Sequence, residues 1–433
     1  MNAQKIALTL PLAAALLAAT ATTTPASAAY GGPWSSAWGA SPQRPAHTSW
    51  FPNWSEGGFA DQSVRQVIRV GAEGSEVRVR VTNRYGKTPL KLTGATVART
   101  AGGPAVQPDS VRALRFEGVE SVTVPAGGEL SSDAVALPVK AFEQLTVTFY
   151  FEGPTGPATF HNVAMSLSYR AVGDHRRDAS ADAFAAGAPS FSWYYLAGVD
   201  VKNPRPGAAG TPGGSRKAVV AFGDSLTDGY GATPGADLRY PDQLAKRLVA
   251  DGRSRPVLNA GIGGNKVLGD SECFGESALA RFRRDALGRP DVGTVIVLEG
   301  TNDIVQPDGP QDHCTAGSPK VTAEEIIAGH RELVREARTR GVRVIGATIP
   351  PFHGSRYWTE RGEDVRTAVN HWIRTGGAYD GVVDFDRVLA APADPAHPKE
   401  IKIKDEYALA GDRLHMNDAG YRAMADAFDL NSL

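Results

Sequence analysis

The stretch Ala218-Val-Val-Ala-Phe-Gly-Asp-Ser-Leu-Thr-Asp-Gly229 is an unbroken apolar run that ends at a glycine and passes into polar turn residues. An apolar run without alternation, bounded by turn chemistry, is the pattern of a strand buried on both faces of a parallel sheet. Outward from it, Val257–Ala260, Thr294–Leu298, Val342–Thr348 and Val382–Phe385 repeat the pattern. Helical periodicity fills the gaps. Thr322 and Glu325 form a capping-box signature, and Ile326, His330, Leu333, Val334 and Ala337 make one stripe that stops at Gly341. Tyr421, Met424, Ala425 and Phe428 share a face of the last helix. Strand–helix alternation predicts a doubly wound α/β domain over residues 217–433.

The N-terminal part has a different texture. Glu76–Thr82 alternates strictly, and Leu145–Phe151 does so with heavier side chains, the period of half-buried strands. Val64–Val70, Ser121–Val124, Val163–Tyr169 and Ser190–Val201 are further strand candidates, separated by turns such as Ala126-Gly-Gly128. Many short strands without helical periodicity predict an all-β sandwich or jelly-roll-like domain over residues 30–203. Residues 204–216, dense in proline and glycine, read as a linker.

The 433 residues, 42% hydrophobic and 21% charged, are enough for two or three packed domains and exclude wholesale disorder. A net charge of −1 without a basic stripe disfavours a nucleic-acid partner. Lys5, the apolar run Ile6–Ala19 and the small-x-small ending Ala26-Ser-Ala28 make residues 1–28 a secretory signal peptide, cut after Ala28. That run is shorter than the ~20 residues of a membrane span, so an exported protein with no transmembrane segment in its mature form is expected.

In open α/β sheets, sites form beyond the carboxyl ends of the strands. Four clusters fall there: Gly223-Asp-Ser-Leu-Thr-Asp-Gly229, Asn259-Ala-Gly-Ile-Gly-Gly-Asn265, Glu299-Gly-Thr-Asn-Asp303, and Asp412-Arg-Leu-His415 before the last helix. Acyl transfer needs these parts. A serine hydroxyl requires a base, histidine suits neutral pH, and the base requires an acceptor on its other ring nitrogen. Asp412 and His415, three apart, can meet in a turn. The tetrahedral oxyanion needs donors fixed in advance, which the N–H groups of Ser225 and Gly264 and the Asn302 amide would supply.

Gly-Asp-Ser-Leu at 223–226, Gly264 in its Asn259-led block, Asn302 in Gly-Thr-Asn-Asp and Asp412-x-x-His415 resemble the four blocks of the SGNH/GDSL hydrolase superfamily, in that family's order. The resemblance covers essentially the whole second domain and implies a flavodoxin-like parallel sheet. It implies Ser225 as nucleophile, His415 as base, Asp412 as its orienter, and Ser225, Gly264 and Asn302 as oxyanion donors, with no cofactor. The step of five from Asn259 favours Gly264 over its neighbour Gly263. Trp38-Gly-Ala-Ser-Pro42 more weakly resembles the β-rich extension of some secreted GDSL esterases.

The competing readings are weaker. Asp224, Asp228, Asp303, Asp412 and His415 supply possible metal ligands, but His-x-x-x-His and His-Glu-x-x-His spacings are missing, so no metal is expected. Asp228 and Asp303 are instead expected to brace the loops as hydrogen-bond acceptors. Thr227 stands where the Gly-x-Ser-x-Gly elbow of α/β-hydrolases needs glycine. Cys273 and Cys314, in an exported chain, are expected to form a disulfide, with His313 an ordinary loop residue. Phe352, His353, Tyr357 and Trp358 are expected to pack, with lining an acyl or sugar pocket as the alternative. Trp50, Phe51 and Trp54 are likewise expected to pack, with sugar stacking by the β-domain as the alternative.

The expected function is a secreted serine esterase forming an acyl-Ser225 intermediate, its ester attached to a small molecule or a polymer, with acetylated carbohydrate the first candidate. A lipase or phospholipase, an acyltransferase, and a glycan-binding protein with an inactive hydrolase scaffold are the alternatives.

Overall fold

The apolar runs of the C-terminal half assemble into a parallel sheet in the order Val257–Gly261, Ala218–Gly223, Val292–Leu298, Arg343–Ala347 and Gly381–Val383. Numbered along the chain this is 2-1-3-4-5, the flavodoxin-like doubly wound order, whose switch point lies between the first and third strands. The computed structural model describes residues 34–48, 52–202 and 217–433. The leader and its cleavage site, Trp50, Phe51 and the 204–216 linker lie outside the described residues.

The absence of alternation in these strands has a direct cause. Val219 and Ala221 enter one core with Leu244, Leu248, Tyr421 and Met424, from the helices Tyr240–Ala250 and Asp418–Asp426. Their neighbours Val220 and Phe222 enter another with Phe282, Leu333 and Ala337, from the helices Ala278–Phe282 and Ala323–Arg338. Each face of the sheet is thus covered by helix, and both side-chain sets must be apolar. The capping box at Thr322 and Glu325 forms, but the helix ends at Arg338, before Gly341. The last helix ends at Asp426, and Phe428 joins the same core from beyond it.

The described residues of the N-terminal half form two larger antiparallel sheets and two short two-stranded ones, Phe160–His161 with Trp193–Tyr194 and Leu90–Leu92 with Val122–Val124. One of the larger sheets orders Trp34–Gly39, Leu196–Lys202, Gly74–Thr82 and Val135–Val139, with Glu129–Ser131 also paired to Gly74–Thr82. The other orders Ser168–Val172, Gln62–Arg69, Gln144–Phe151, Gly94–Gly102 and Ala105–Val106. Val77, Val79 and Val81 from the first share a core with Val64, Ile68, Val147 and Phe149 from the second.

Two strand expectations need correction. Val163–Tyr169 is not a continuous strand: only Phe160–His161 and Ser168–Val172 pair, and Met165 has φ 49° between them. The apolar Val163, Ala164 and Met165 are buried, yet the Ala164 carbonyl accepts from Arg239 (3.2 Å) and that of Met165 from the Gly235 N–H (2.8 Å). Their partners lie in the α/β half, which local periodicity cannot report. Ser190–Val201 is likewise divided, at Tyr195 with φ 56°, into Trp193–Tyr194 and Leu196–Lys202.

The two halves dock. Arg289 Nη2 donates to the Ala40 carbonyl (2.9 Å), and Gln43 Nε2 to that of Cys273 (3.3 Å). Among the described residues no helix is long and apolar enough to cross a membrane.

Candidate active site

Ser225 opens a four-residue helical turn, Ser225–Asp228, directly after the first strand of the parallel sheet. Gly223 permits this, because a β-carbon there would lie 2.4 Å from the Leu298 carbonyl oxygen. Asp224 caps the turn, its Oδ1 accepting from the Leu226 N–H at 2.9 Å. Ser225 Oγ is 2.8 Å from Nε2 of His415.

On the other side of that ring, Nδ1 is 3.1 and 3.0 Å from the two Asp412 oxygens. Asp412 and His415 meet because Arg413 takes the left-handed conformation (φ 60°), closing a turn in which Asp412 Oδ1 also accepts from the N–H groups of Leu414 (2.7 Å) and His415 (2.8 Å). Burial pushes the Asp412 carboxyl up, but the bond and charge of the His415 ring and these two N–H groups outweigh it and hold the group at about 2. An ionised Asp412 only accepts, so Nδ1 carries the ring proton and Nε2 is left to accept from the serine hydroxyl.

Gly264 and Asn302 face the same space from the second and third strands. Gly264 is left-handed (φ 78°) and packed under the Phe274 ring. Its carbonyl accepts from Gln306 Nε2 (2.9 Å). The preceding amide, Gly263 N–H, is taken by Asp228 Oδ2 (2.9 Å). Gly264 N–H makes no hydrogen bond to another described residue, which distinguishes the two glycines. Asn302 Nδ2 donates to the Asn265 carbonyl at 2.9 Å and reaches Asp224 Oδ2 only at 3.4 Å.

The other acidic residues are engaged in the scaffold. Asp303 accepts from the N–H groups of Val267 (2.7 Å) and Leu268 (3.1 Å). Burial pushes both Asp224 and Asp303 up to about 6, against the N–H groups they accept from. Arg281, wholly buried, ties the strand ends together. Its guanidinium donates to the carbonyls of Ala260 and Gly223 (both 2.8 Å), to Asn265 Oδ1 (2.8 Å) and to Glu299 Oε1 (3.1 Å). Burial raises the Glu299 carboxyl well above its ordinary value despite that charge.

Ser225, Gly264, Asn302, Asp412 and His415 line one cavity of about 90 Å³, closed by Val163, Tyr230, Val305, Gln306, Arg356 and Tyr357. Val163 comes from the β-rich half. Of the aromatics after the fourth strand, Tyr357 reaches the cavity, whereas Phe352 is core and Trp358 packs edge-on to His353. Cys273 and Cys314 form a disulfide, with Cα atoms 5.5 Å apart. Trp54 stacks on Tyr194 at 5.3 Å, with the Arg170 guanidinium 4.6 Å from its ring centre.

Residues 221–423 match the GDSL-like lipase/acylhydrolase family. This segment belongs to that family. The chain is similar to the uncharacterized lipoprotein YqeF of Bacillus subtilis (strain 168), at 31% identity over 148 residues, 33% of this chain and 53% of the relative. The chain thus spans about half the length of that curated relative. Among solved structures it is similar to a putative lipolytic protein of the G-D-S-L family from Desulfitobacterium hafniense DCB-2 (20% identity, 49% of this chain and 97% of that one, TM-score 0.35). It is also similar to the acetyl xylan esterase AlAXEase (21%, 48% and 96%, 0.36) and to the aryl esterase of M. smegmatis (19%, 49% and 95%, 0.36). GDSL enzymes are carboxylic ester hydrolases.

Gln306, Arg281, Phe274 and His161 are site-shaping residues that the sequence reading missed. The signal for Gln306 was its place one helical turn beyond Asn302. A buried arginine holding backbone carbonyls leaves no local signature.

Proposed function

We propose that the protein is a serine esterase acting on short-chain carboxylic esters through an acyl-Ser225 intermediate. The observation that carries this reading is the unbroken chain from Ser225 Oγ through both nitrogens of His415 to Asp412, with links of 2.8 and 3.0 Å, opening on a small cavity.

As Ser225 Oγ attacks the ester carbonyl, its proton passes to His415 Nε2, and the resulting imidazolium faces the Asp412 carboxylate. The carbonyl oxygen becomes an oxyanion. The Gly264 N–H, left over by the other described residues, and the weakly engaged Asn302 hydrogen are its donors, with the Ser225 N–H at the start of the turn as the third. Collapse breaks the bond to the alcohol oxygen, which takes the proton from His415. Water then gives its proton to His415 and attacks the acyl carbon, releasing the acid and restoring Ser225.

The cavity beside Ser225, about 90 Å³, is small. Pockets for drug-sized ligands begin at about 300 Å³. This favours acetyl-sized groups over lipid acyl chains, and acetylated carbohydrate is the first natural substrate class to examine. Export from the cell belongs to the same proposal.

The test is hydrolysis of p-nitrophenyl esters from acetyl to palmitoyl by the protein and by Ser225→Ala. Acetyl preference abolished in the variant is the expected result. Equal activity in the two proteins would break the assignment, and palmitoyl preference would replace short esters with lipids.

A further inference from the structure

The β-rich half sends one titratable side chain into the support of the Gly264 loop. His161 sits in the two-residue strand Phe160–His161, which pairs with Trp193–Tyr194, and its ring stacks on Trp193 at 5.5 Å. The residue is 3% exposed. Nδ1 lies 2.9 Å from the Ser41 carbonyl, which can only accept, and Nε2 lies 3.0 Å from Asp228 Oδ1. Asp228 closes the short helix that Ser225 opens, and its second oxygen takes the Gly263 N–H. One carboxylate therefore joins a histidine of the N-terminal half to the loop of the C-terminal half.

The consequence follows from peptide planarity. The peptide between Ile262 and Gly263 is held by its N–H on Asp228, and the peptide between Gly264 and Asn265 is held by its carbonyl on Gln306. The peptide between them carries the Gly264 N–H. With both flanking planes fixed and φ at 78°, that N–H is held in one direction, at a residue that lines the cavity beside Ser225. Val163, two residues after His161, covers the loop, since a β-carbon on Gly263 would lie 3.0 Å from its Cγ2.

We infer that His161 is a positioning residue for the oxyanion site, acting through Asp228 on the 263–264 peptide, so that the β-rich half is part of the catalytic apparatus. The inference rests on the esterase reading above. Binding of the ground-state ester does not need this N–H, whereas the tetrahedral intermediate does, so the effect belongs in kcat.

The experiment compares the full chain with His161→Ala, His161→Gln, Asp228→Asn and the double variant His161→Ala/Asp228→Asn on p-nitrophenyl acetate. Active enzyme is counted by phosphonate titration of Ser225. His161→Ala is expected to lower kcat on the order of 10²-fold, with KM changed by less than about threefold. His161→Gln, which keeps a donor for Asp228, is expected to recover much of the loss. The double variant is expected to be no worse than the poorer single one, because both break one chain. A kcat for titrated His161→Ala within twofold of the parent, or losses that multiply in the double variant, would overturn the inference.

Hydrogen exchange at the Gly263 amide of the unaltered protein provides a reading that does not depend on a variant folding. Strong protection is expected, and exchange at the rate of an exposed loop would overturn the inference. Failure of the parent to hydrolyse any ester, or full activity in Ser225→Ala, would instead break the esterase reading.

Discussion

Phe274 packs its ring so closely over Gly264 that a β-carbon on the glycine would fall 2.4 Å from it. The loop carrying the proposed oxyanion donor is therefore shaped by a residue that follows Cys273 and is held by the disulfide to Cys314. The glycine is required twice, by its left-handed φ of 78° and by the ring above it.

Gly264→Ala separates these two demands. The φ penalty alone is about 1–2 kcal/mol, and the clash adds to it, so a large fall in kcat and a lower urea midpoint are expected. Adding Phe274→Ala relieves the clash and leaves the φ penalty. The double variant is therefore expected to regain only part of the activity, while the cavity left by the buried ring keeps its stability below that of the parent by about 3–5 kcal/mol. Full recovery in kinetics on p-nitrophenyl acetate would show that the conformation of the 264 peptide is unimportant.

Asp303 predicts a pH dependence of stability. Its carboxyl is held at about 6 by burial, against about 3.9 in an unfolded chain. Between these values the native state keeps a proton that the unfolded chain gives up. This group's contribution is therefore largest below pH 4 and declines as pH rises through 6, by up to about 3 kcal/mol. Asp412 works oppositely: held at about 2, it stabilises above pH 4, and that contribution is lost as pH falls towards 2. Urea unfolding from pH 3 to 8 should show a smaller decline between pH 4 and 7 in Asp303→Asn than in the parent. An unchanged slope would count against the buried, proton-retaining carboxyl.

The disulfide closes a separation of 41 residues, which the chain-entropy estimate converts to roughly 4 kcal/mol. Cys273→Ser/Cys314→Ser is expected to lose stability of this order in urea titrations. Because Phe274 loses one of its anchors and keeps its backbone bonds to Asn265 and Ser271, a smaller fall in kcat is also expected, exceeding any rise in KM. A stability loss with kcat unchanged would confine the bridge to a structural role.

Much of the candidate site was legible in the chain because its geometry is local. Asp412 and His415 meet within one turn, and Asp224 caps the turn that Ser225 begins. Ser225, Gly264 and Asn302 each follow a strand whose apolar run marks its end, so parallel packing suffices to bring them together. Thr322 and Glu325 announced their helix because a capping box lies within four consecutive residues.

The residues that escaped the reading act across the fold. His161 lies 67 positions from Asp228, and Arg281 lies 58 from Gly223. Val163 and Ala164 carried the apolar signature of a strand, and that signature was true to their burial. Period-two patterning reports that a side chain is hidden, without saying what hides it. The α/β sheet, the β-rich half and the Asp412–His415 turn could be read from the chain, since strand burial and turn geometry are set by neighbouring residues, and the sheet order then brings Ser225 to His415 across 190 positions. The docking of the two halves, and the support that a histidine of one gives the Gly264 loop of the other, emerged from the fold alone. Such contacts are selected by the global packing of surfaces distant in the chain, and local side-chain chemistry leaves them open.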